Sequence, residues 1–407
     1  MLLRFRVDNV RSLYNPAEEA QELNLVADRA PEYSTVPVTW AGRAHRMVPV
    51  AGIFGGNGSG KTNALLALED MRRAVLDSCG RWTGLETIPR EPFAFTADPK
   101  PSFYEVDLLL DGVRWTYGFE LGKSRVEAEW LYSYDSGRRR TWVCRDATRP
   151  DCVYRWPGSR VVKRRLLADL TRDNALLLSV AGAMGHPQLV PLFRWFADNL
   201  HLSAPTTERE QRHTHDVLRE DAGLRHRLSV LVEAADLGVC GFKVDSITGG
   251  LRLAHRTAGR VRLLDWEVQS PGTRTVISVL LRAIEALDGG RVLLLDDLGA
   301  GLHPRLTAEI VRLFTAPHTN TRHAQLVFSS NAATLLGTSV GGTLDPCHVW
   351  LTEKNDGATE LYPLTAVSLG KDEDVRSSYL TGAFGGVPQF TQGRIGRALL
   401  AADAVTD

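Results

Sequence analysis

Residues 55–62 read GGNGSGKT. Gly55 and Gly60 are five apart and Lys61-Thr62 follows, which is the spacing of a phosphate-binding loop. Glycines at 55, 56, 58 and 60, around Asn57 and Ser59, let the backbone curl so that successive N–H groups point at phosphate oxygens. Lys61 is expected to reach the β- and γ-phosphates, and Thr62 to ligand Mg²⁺. A helix starting near Lys61 adds the positive end of its dipole. Such a loop needs a distant acid for the metal. Asp296 supplies one by closing the apolar run Val292–Leu295. Asp297 follows, where a general base for the attacking water belongs. A strand end capped by solvated acids is the plainer reading of that pair, and the loop at 55–62 argues against it.

The elements around these residues agree. VPVAGIF (48–54) is a continuous apolar run, as expected of a buried strand feeding the loop. Leu65, Leu68, Met71 and Val75 fall at helical spacing, with Gly80 as a stop. Residues 1–10 alternate like a half-buried strand. Residues 102–145 hold alternating runs around Asp111-Gly112 and a DSG turn, which predicts an antiparallel sheet. Residues 160–235 turn helical, and strands return in FKVDSI and LRLAHR. A helix over roughly 273–287, the strand ending at Asp296, a helix over 304–316 and a strand QLVFSS (325–330) complete the pattern. One nucleotide-type fold split by an insert explains the order.

The chain has 407 residues, 43% hydrophobic and 24% charged, with zero formal net charge. That suits a globular chain of two lobes and excludes a global field for nucleic acid or membrane. Nucleic acid remains possible only through local patches, RRR at 138–140 and KRR at 163–165, each of which also reads as a solvated face. No apolar run approaches the roughly 20 residues that span a bilayer. Five scattered cysteines without a CxxC pair suggest reduced thiols and a cytoplasmic location. His213 and His215 form a lone HxH, read as solvated loop rather than metal site.

GGNGSGKTNALLAL and the opening FRVDNVRSL (5–13) resemble the SMC, RecF and OLD group of ABC-type ATPases. Gln269-Ser270-Pro271-Gly272-Thr273-Arg274 resembles that group's signature, and Leu302-His303-Pro304 the segment after its second acidic motif. TRDNALLLSVA (171–181), AADLGVCGFKV (234–244), HVWLTEKNDGATELYPL (348–364) and YLTGAFGGVPQF (379–390) resemble stand-alone OLD-like ATPases of bacterial phage-defence pairs such as PARIS and Septu, or pairs with an RloB-type protein. The resemblance implies an α/β fold: an ABC-type P-loop nucleotide-binding domain with an antiparallel β lobe and an inserted helical domain. The boundaries expected are a split head at 1–80 and 241–407, an antiparallel section at 81–150, and a helical arm or dimerisation region at 151–240.

The same resemblance implies ATP and Mg²⁺ as cofactors and a site completed by a second copy, in a homodimer or higher homo-oligomer. Ser270, Gly272 and Thr273 would meet the other copy's γ-phosphate, with Leu302 and His303 nearby. Arg11 would touch ribose or adenine; a surface strand-end charge is the alternative. No glutamine-loop residue is assignable. Two positions depart from the group. Its second acid is usually Glu, here Asp297, and its switch histidine aligns with Asn331. Both changes run toward slow hydrolysis. The chain lacks a clustered-acid nuclease segment, so an effector nuclease of Toprim, HNH or RloB-like type is expected as a separate chain. Two other readings stand beside this one: a RecF- or SMC-like DNA-binding ATPase of genome maintenance, and a nucleotide-gated assembly platform with negligible turnover.

Overall fold

In the computed structural model the described residues are 1–17, 19–96, 100–157, 161–245, 248–257, 259–337, 343–370, 373–388 and 393–403. Strands β1 (Leu2–Asp8), β2 (Gln21–Asn24), β3 (Val36–Trp40), β4 (Arg43–Met47) and β5 (Val50–Gly55) precede helix α1 (Lys61–Asp77). A meander follows: β6 (Ser102–Leu110), β7 (Val113–Leu121), β8 (Val126–Ser133), β9 (Arg140–Asp146) and β10 (Tyr154–Arg155). Then come α2 (Arg164–Leu170), α3 (Leu177–Ala183), α4 (Val190–Arg194), β11 (Leu200–Ser203), α5 (Glu208–Glu220) and α6 (Ala222–Ala234). Strands β12 (Val239–Val244), β13 (Leu251–Thr257) and β14 (Arg260–Asp265) lead into α7 (Pro271–Gly289). The rest is β15 (Val292–Leu295), α8 (Pro304–Thr315), β16 (Gln325–Ser330), β17 (Val349–Asn355), β18 (Ala358–Pro363), α9 (Val375–Leu380) and α10 (Arg394–Asp403).

The fold is mixed α/β, as expected. A six-stranded sheet runs β11-β15-β16-β5-β17-β18, parallel except for its β18 edge. Successive residues of its strands feed opposite cores, because side chains alternate across a strand. Ala51, Ile53, Leu294 and Val327 join the core shared with α1, α3 and the antiparallel sheet. Val50, Phe54, Leu293, Leu295, Leu326 and Phe328 join the core shared with α7 and α8. Coverage on both faces is why these runs read as continuously apolar.

A seven-stranded antiparallel sheet, β10-β9-β8-β7-β6-β1-β2, packs on the first core. Its β6–β7 hairpin turns through Asp111 (φ 51°) and Gly112 (φ 75°), the geometry that the Asp-Gly pair favours. The segment 160–235 is not wholly helical. Leu200–Ser203 pairs in parallel with β15 and forms one edge of the parallel sheet. Four residues are too short for a period to register in the sequence. Of FKVDSI, residues 246 and 247 lie outside the described residues, as do 389 and 390 of the segment at 379–390. His213 and His215 lie on α5 rather than in a loop, and His213 Nε2 is 3.6 Å from Glu285.

Candidate functional site: a phosphate cradle at the carboxyl edge of the parallel sheet

The ends of β5, β15 and β16 lie side by side, with Phe54 opposite Ser330 and Leu295 opposite Phe328. In an open parallel sheet this carboxyl edge is where ligands bind. From β5 the chain turns through Gly56–Gly60 into α1. Gly58 (φ 78°) and Gly60 (φ 106°) take the left-handed conformation open to glycine. Gly60 also has no space for a side chain, because a Cβ there would lie 2.1 Å from Thr359 Oγ1. Gly60 caps α1 without a side-chain hydrogen bond, so the first-turn amides of α1 have no side-chain cap. Asn57 and Gly58 are exposed on the turn.

Lys61 is 8% exposed, and its Nζ donates to the carbonyls of Gly55 (2.9 Å) and Gly56 (3.0 Å). Burial pulls its ammonium below the ordinary lysine value, and Asp297 and then Asp296 pull it back up. Both acids therefore lie within electrostatic reach of the cradle. Thr62 Oγ1 donates to Asp296 Oδ1 at 2.9 Å, across 234 residues of chain. Ser329 Oγ donates to the same oxygen at 2.7 Å and accepts from the Asp297 amide at 2.7 Å. Thr62, Asp296 and Ser329 are hard oxygen donors. One carboxylate with hydroxyls suits Mg²⁺, which keeps waters and substrate phosphates as its other ligands. No group of three or more His, Cys, Asp or Glu side chains able to hold a metal occurs among the described residues.

Asp297 is exposed and has φ 57°, a conformation that costs a non-glycine residue about 1–2 kcal/mol. The Ser329 side chain and the bond from the Leu298 amide to the Ser329 carbonyl hold it there. Asn331 follows β16 and is exposed beside this turn; its carbonyl accepts from the Ala333 amide.

Ser270 caps α7, accepting from the Thr273 amide at 3.1 Å, with the two hydroxyls 2.8 Å apart. A Cβ on Gly272 would lie 3.2 Å from the Gly301 carbonyl, so the turn rests on the 299–303 loop. In that loop His303 caps α8 through its ring and is exposed, while Leu302 packs on the second core. The guanidinium of Arg11 (φ 53°) donates to Asp70 and, at 2.7 Å, to Glu91. Burial opposes its charge, but Asp70 and Glu91 raise its pKa overall.

Sequence reasoning missed the hydroxyls behind the loop. Ser59 Oγ lies 2.7 Å from Thr352 Oγ1, and Thr359 Oγ1 donates to the Ser59 carbonyl at 2.8 Å. Asn63 Nδ2 donates to Ser12 Oγ, which lies 2.7 Å from Thr359 Oγ1. Ser329 was missed as well. Its only trace in the sequence is a polar pair ending an apolar strand, a pattern that strand ends share generally. A cavity of about 820 Å³ lies beside Thr359, lined by Tyr14, Glu19, Phe93, Trp350 and Glu360. Its acids do not suit phosphate.

Among curated proteins none matches the chain. Among solved structures it is similar to the SMC head in "Crystal structure of the SmcHead bound to the C-winged helix domain of ScpA". That similarity has 13% identity, covers 91% of this chain and 98% of that one, and gives a TM-score of 0.40. Residues 50–152 and 184–330 match the family described as AAA domain, putative AbiEii toxin, Type IV TA system. Those segments hold the phosphate loop, the Ser270 turn, Asp296, Asp297 and Ser329 and make up more than half of the chain, which belongs to that AAA-domain family.

Proposed function

We propose that the chain binds ATP with Mg²⁺ and hydrolyses it slowly, as a cytoplasmic subunit that assembles on ATP and controls a separately encoded effector nuclease in phage defence. The observation carrying the nucleotide part is the Thr62–Asp296 hydrogen bond beside Lys61. It joins the two expected metal ligands, and the buried cation stands at the same edge. Mg²⁺ supplies charge neutralisation of the phosphates when bound. The chain's own residues cradle the phosphates (55–60), neutralise charge (Lys61), orient the metal ligands (Ser329) and offer a base (Asp297).

Ser270, Gly272 and Thr273 form an N–H-bearing helix start suited to a γ-phosphate. Ser270 is exposed and Gly272 and Thr273 are half-buried, which favours completion of the site by a second copy. The effector role rests on the resemblance of residues 348–364 and 379–390 to defence ATPases. The family's description as a putative toxin of a type IV toxin–antitoxin system fits a chain working with a second gene product. A DNA-clamping role draws less support, because Arg140 pairs with Asp135 and Arg139 covers the Tyr132 ring within their own hairpin.

The test is light scattering of the full chain with ATP, ADP or no nucleotide, beside phosphate release. ATP-dependent assembly with slow turnover supports the proposal. Robust turnover abolished in Asp297→Ala, without any change in mass on adding ATP, would sink it. Co-purification with the product of the adjacent gene tests the effector part.

A further inference from the structure

The segment after α9 returns to the phosphate loop, outside the matched stretches at 50–152 and 184–330. A Cβ on Gly56 would lie 3.3 Å from the Pro388 backbone nitrogen and 3.4 Å from its ring. Tyr379 packs its ring edgewise on Phe54, the residue before Gly55. Its hydroxyl donates to the Gly386 carbonyl at 3.4 Å. The ring contact with Phe54 and the bond to Gly386 therefore hold the returning segment at the entrance of the loop.

The segment is pinned from the other side too. Tyr362 donates to the Phe384 carbonyl at 2.9 Å. Gly385 (φ 73°) and Gly386 (φ 67°) are consecutive left-handed residues. A Cβ on Gly385 would come 2.6 Å from the Tyr362 hydroxyl, and one on Gly386 would meet Leu351 and the Thr352 carbonyl at 3.6 Å. Thr352 is the residue whose hydroxyl lies against Ser59. A tight glycine turn is thus wedged between β17 and the loop. A surface tail would need neither the buried Tyr379 ring against Phe54 nor glycines at both positions.

We infer that Tyr379–Pro388 is a further wall of the nucleotide site, a positioning element that holds Gly55 and Gly56 in the shape that receives the phosphates of a nucleoside triphosphate. The inference rests on the proposed nucleotide site. Nucleotide in the loop then presses on Pro388 through Gly56, so occupancy is felt along 383–388.

The test uses the full chain with the fluorescent analogue mant-ATP and Mg²⁺, comparing wild type, Lys61→Ala, Tyr379→Phe and Gly386→Ala. Wild type should bind, and Lys61→Ala should bind on the order of a hundredfold more weakly. Tyr379→Phe should weaken binding by about threefold to tenfold, the loss of one hydrogen bond, with the melting midpoint nearly unchanged. Gly386→Ala should weaken it further; if it fails to fold, Tyr379→Phe alone decides. Amide exchange over 383–388 should slow on adding ATP to wild type and stay unchanged in Lys61→Ala. Wild-type affinity in Tyr379→Phe overturns the positioning role. So does a loss of affinity without ATP-dependent protection, which marks a merely structural residue. Failure of wild type to bind at all overturns instead the nucleotide site itself, and this inference with it.

Discussion

The cradle facing the phosphates and the edge open to a second copy are built in opposite ways. In the cradle Ser59 and Lys61 are buried, Thr352 and Thr359 hydroxyls bond Ser59, Ser12 bonds Asn63, and Ser329 bonds Asp296. At the open edge Asp297, Asn331, Ser270 and His303 are exposed; Ser270 and His303 are held by their own turns, and Asp297 by Ser329. Binding of phosphate needs donors fixed in advance, since each rotor frozen on binding costs affinity. Chemistry completed by a partner needs groups that remain uncovered until the partner arrives. Under the proposed function the contrast gives binding to the cradle and turnover to an edge completed by a second copy, and each variant tests one side of that division.

The largest effect is expected at Lys61. Lys61→Ala removes the buried cation and should weaken mant-ATP binding on the order of a hundredfold, by the scale of charge-assisted bonds to phosphate. If the affinity holds, the cradle is not the phosphate site. Next comes Asp297. Asp297→Ala should lower phosphate release on the order of a hundredfold while affinity stays within about threefold. Asp297→Glu, one methylene longer, should raise turnover above wild type. Equal losses of affinity in these variants would erase the division between the halves.

Smaller effects sharpen the contrast. Ser329→Ala removes a bond to Asp296 and one from the Asp297 amide, so it should weaken Mg-dependent ATP binding about tenfold. Ser270→Ala removes the α7 cap and the exposed hydroxyl, and should weaken ATP-dependent assembly about tenfold with single-chain affinity intact. The smallest concerns His201 on β11, the strand beside β15. Burial, with Arg282 nearby, lowers its pKa to about 4, below the ordinary 6.5. The neutral form is favoured in the fold, so its contribution is complete above about pH 6.5. It is lost as the pH falls toward 4, because the unfolded chain takes up the proton first. Allowing for partial exposure, the loss is on the order of 1–2 kcal/mol. Urea midpoints at pH 7.5 and 5 should diverge less in His201→Gln.

Much of the cradle was legible in the sequence because its parts are contiguous. The run VAGIF needs burial, the glycines need their φ values, and Lys61-Thr62 must open a helix; each constraint acts within a few residues. The acid at 296 was legible because an apolar run must end where the sheet meets water. Ser12, Ser329, Thr352 and Thr359 carried no such mark, since a hydroxyl's partner depends on which strand lies beside it. The antiparallel sheet was legible from alternation, whereas β11 was not, being four residues between helices.

The sequence by itself determined which groups the proposal gives to phosphate and metal, because loop curvature and helix start are local properties of GGNGSGKT. Only the tertiary structure decided what stiffens them. The parallel order β15-β16-β5-β17 lays Asp296, Ser329, Gly55 and Thr352 along one edge, and the return of Tyr379–Pro388 closes it. Neighbours behind that edge are as far as 347 residues apart in the chain, as for Ser12 and Thr359. Their contacts follow from strand order, which no local pattern encodes.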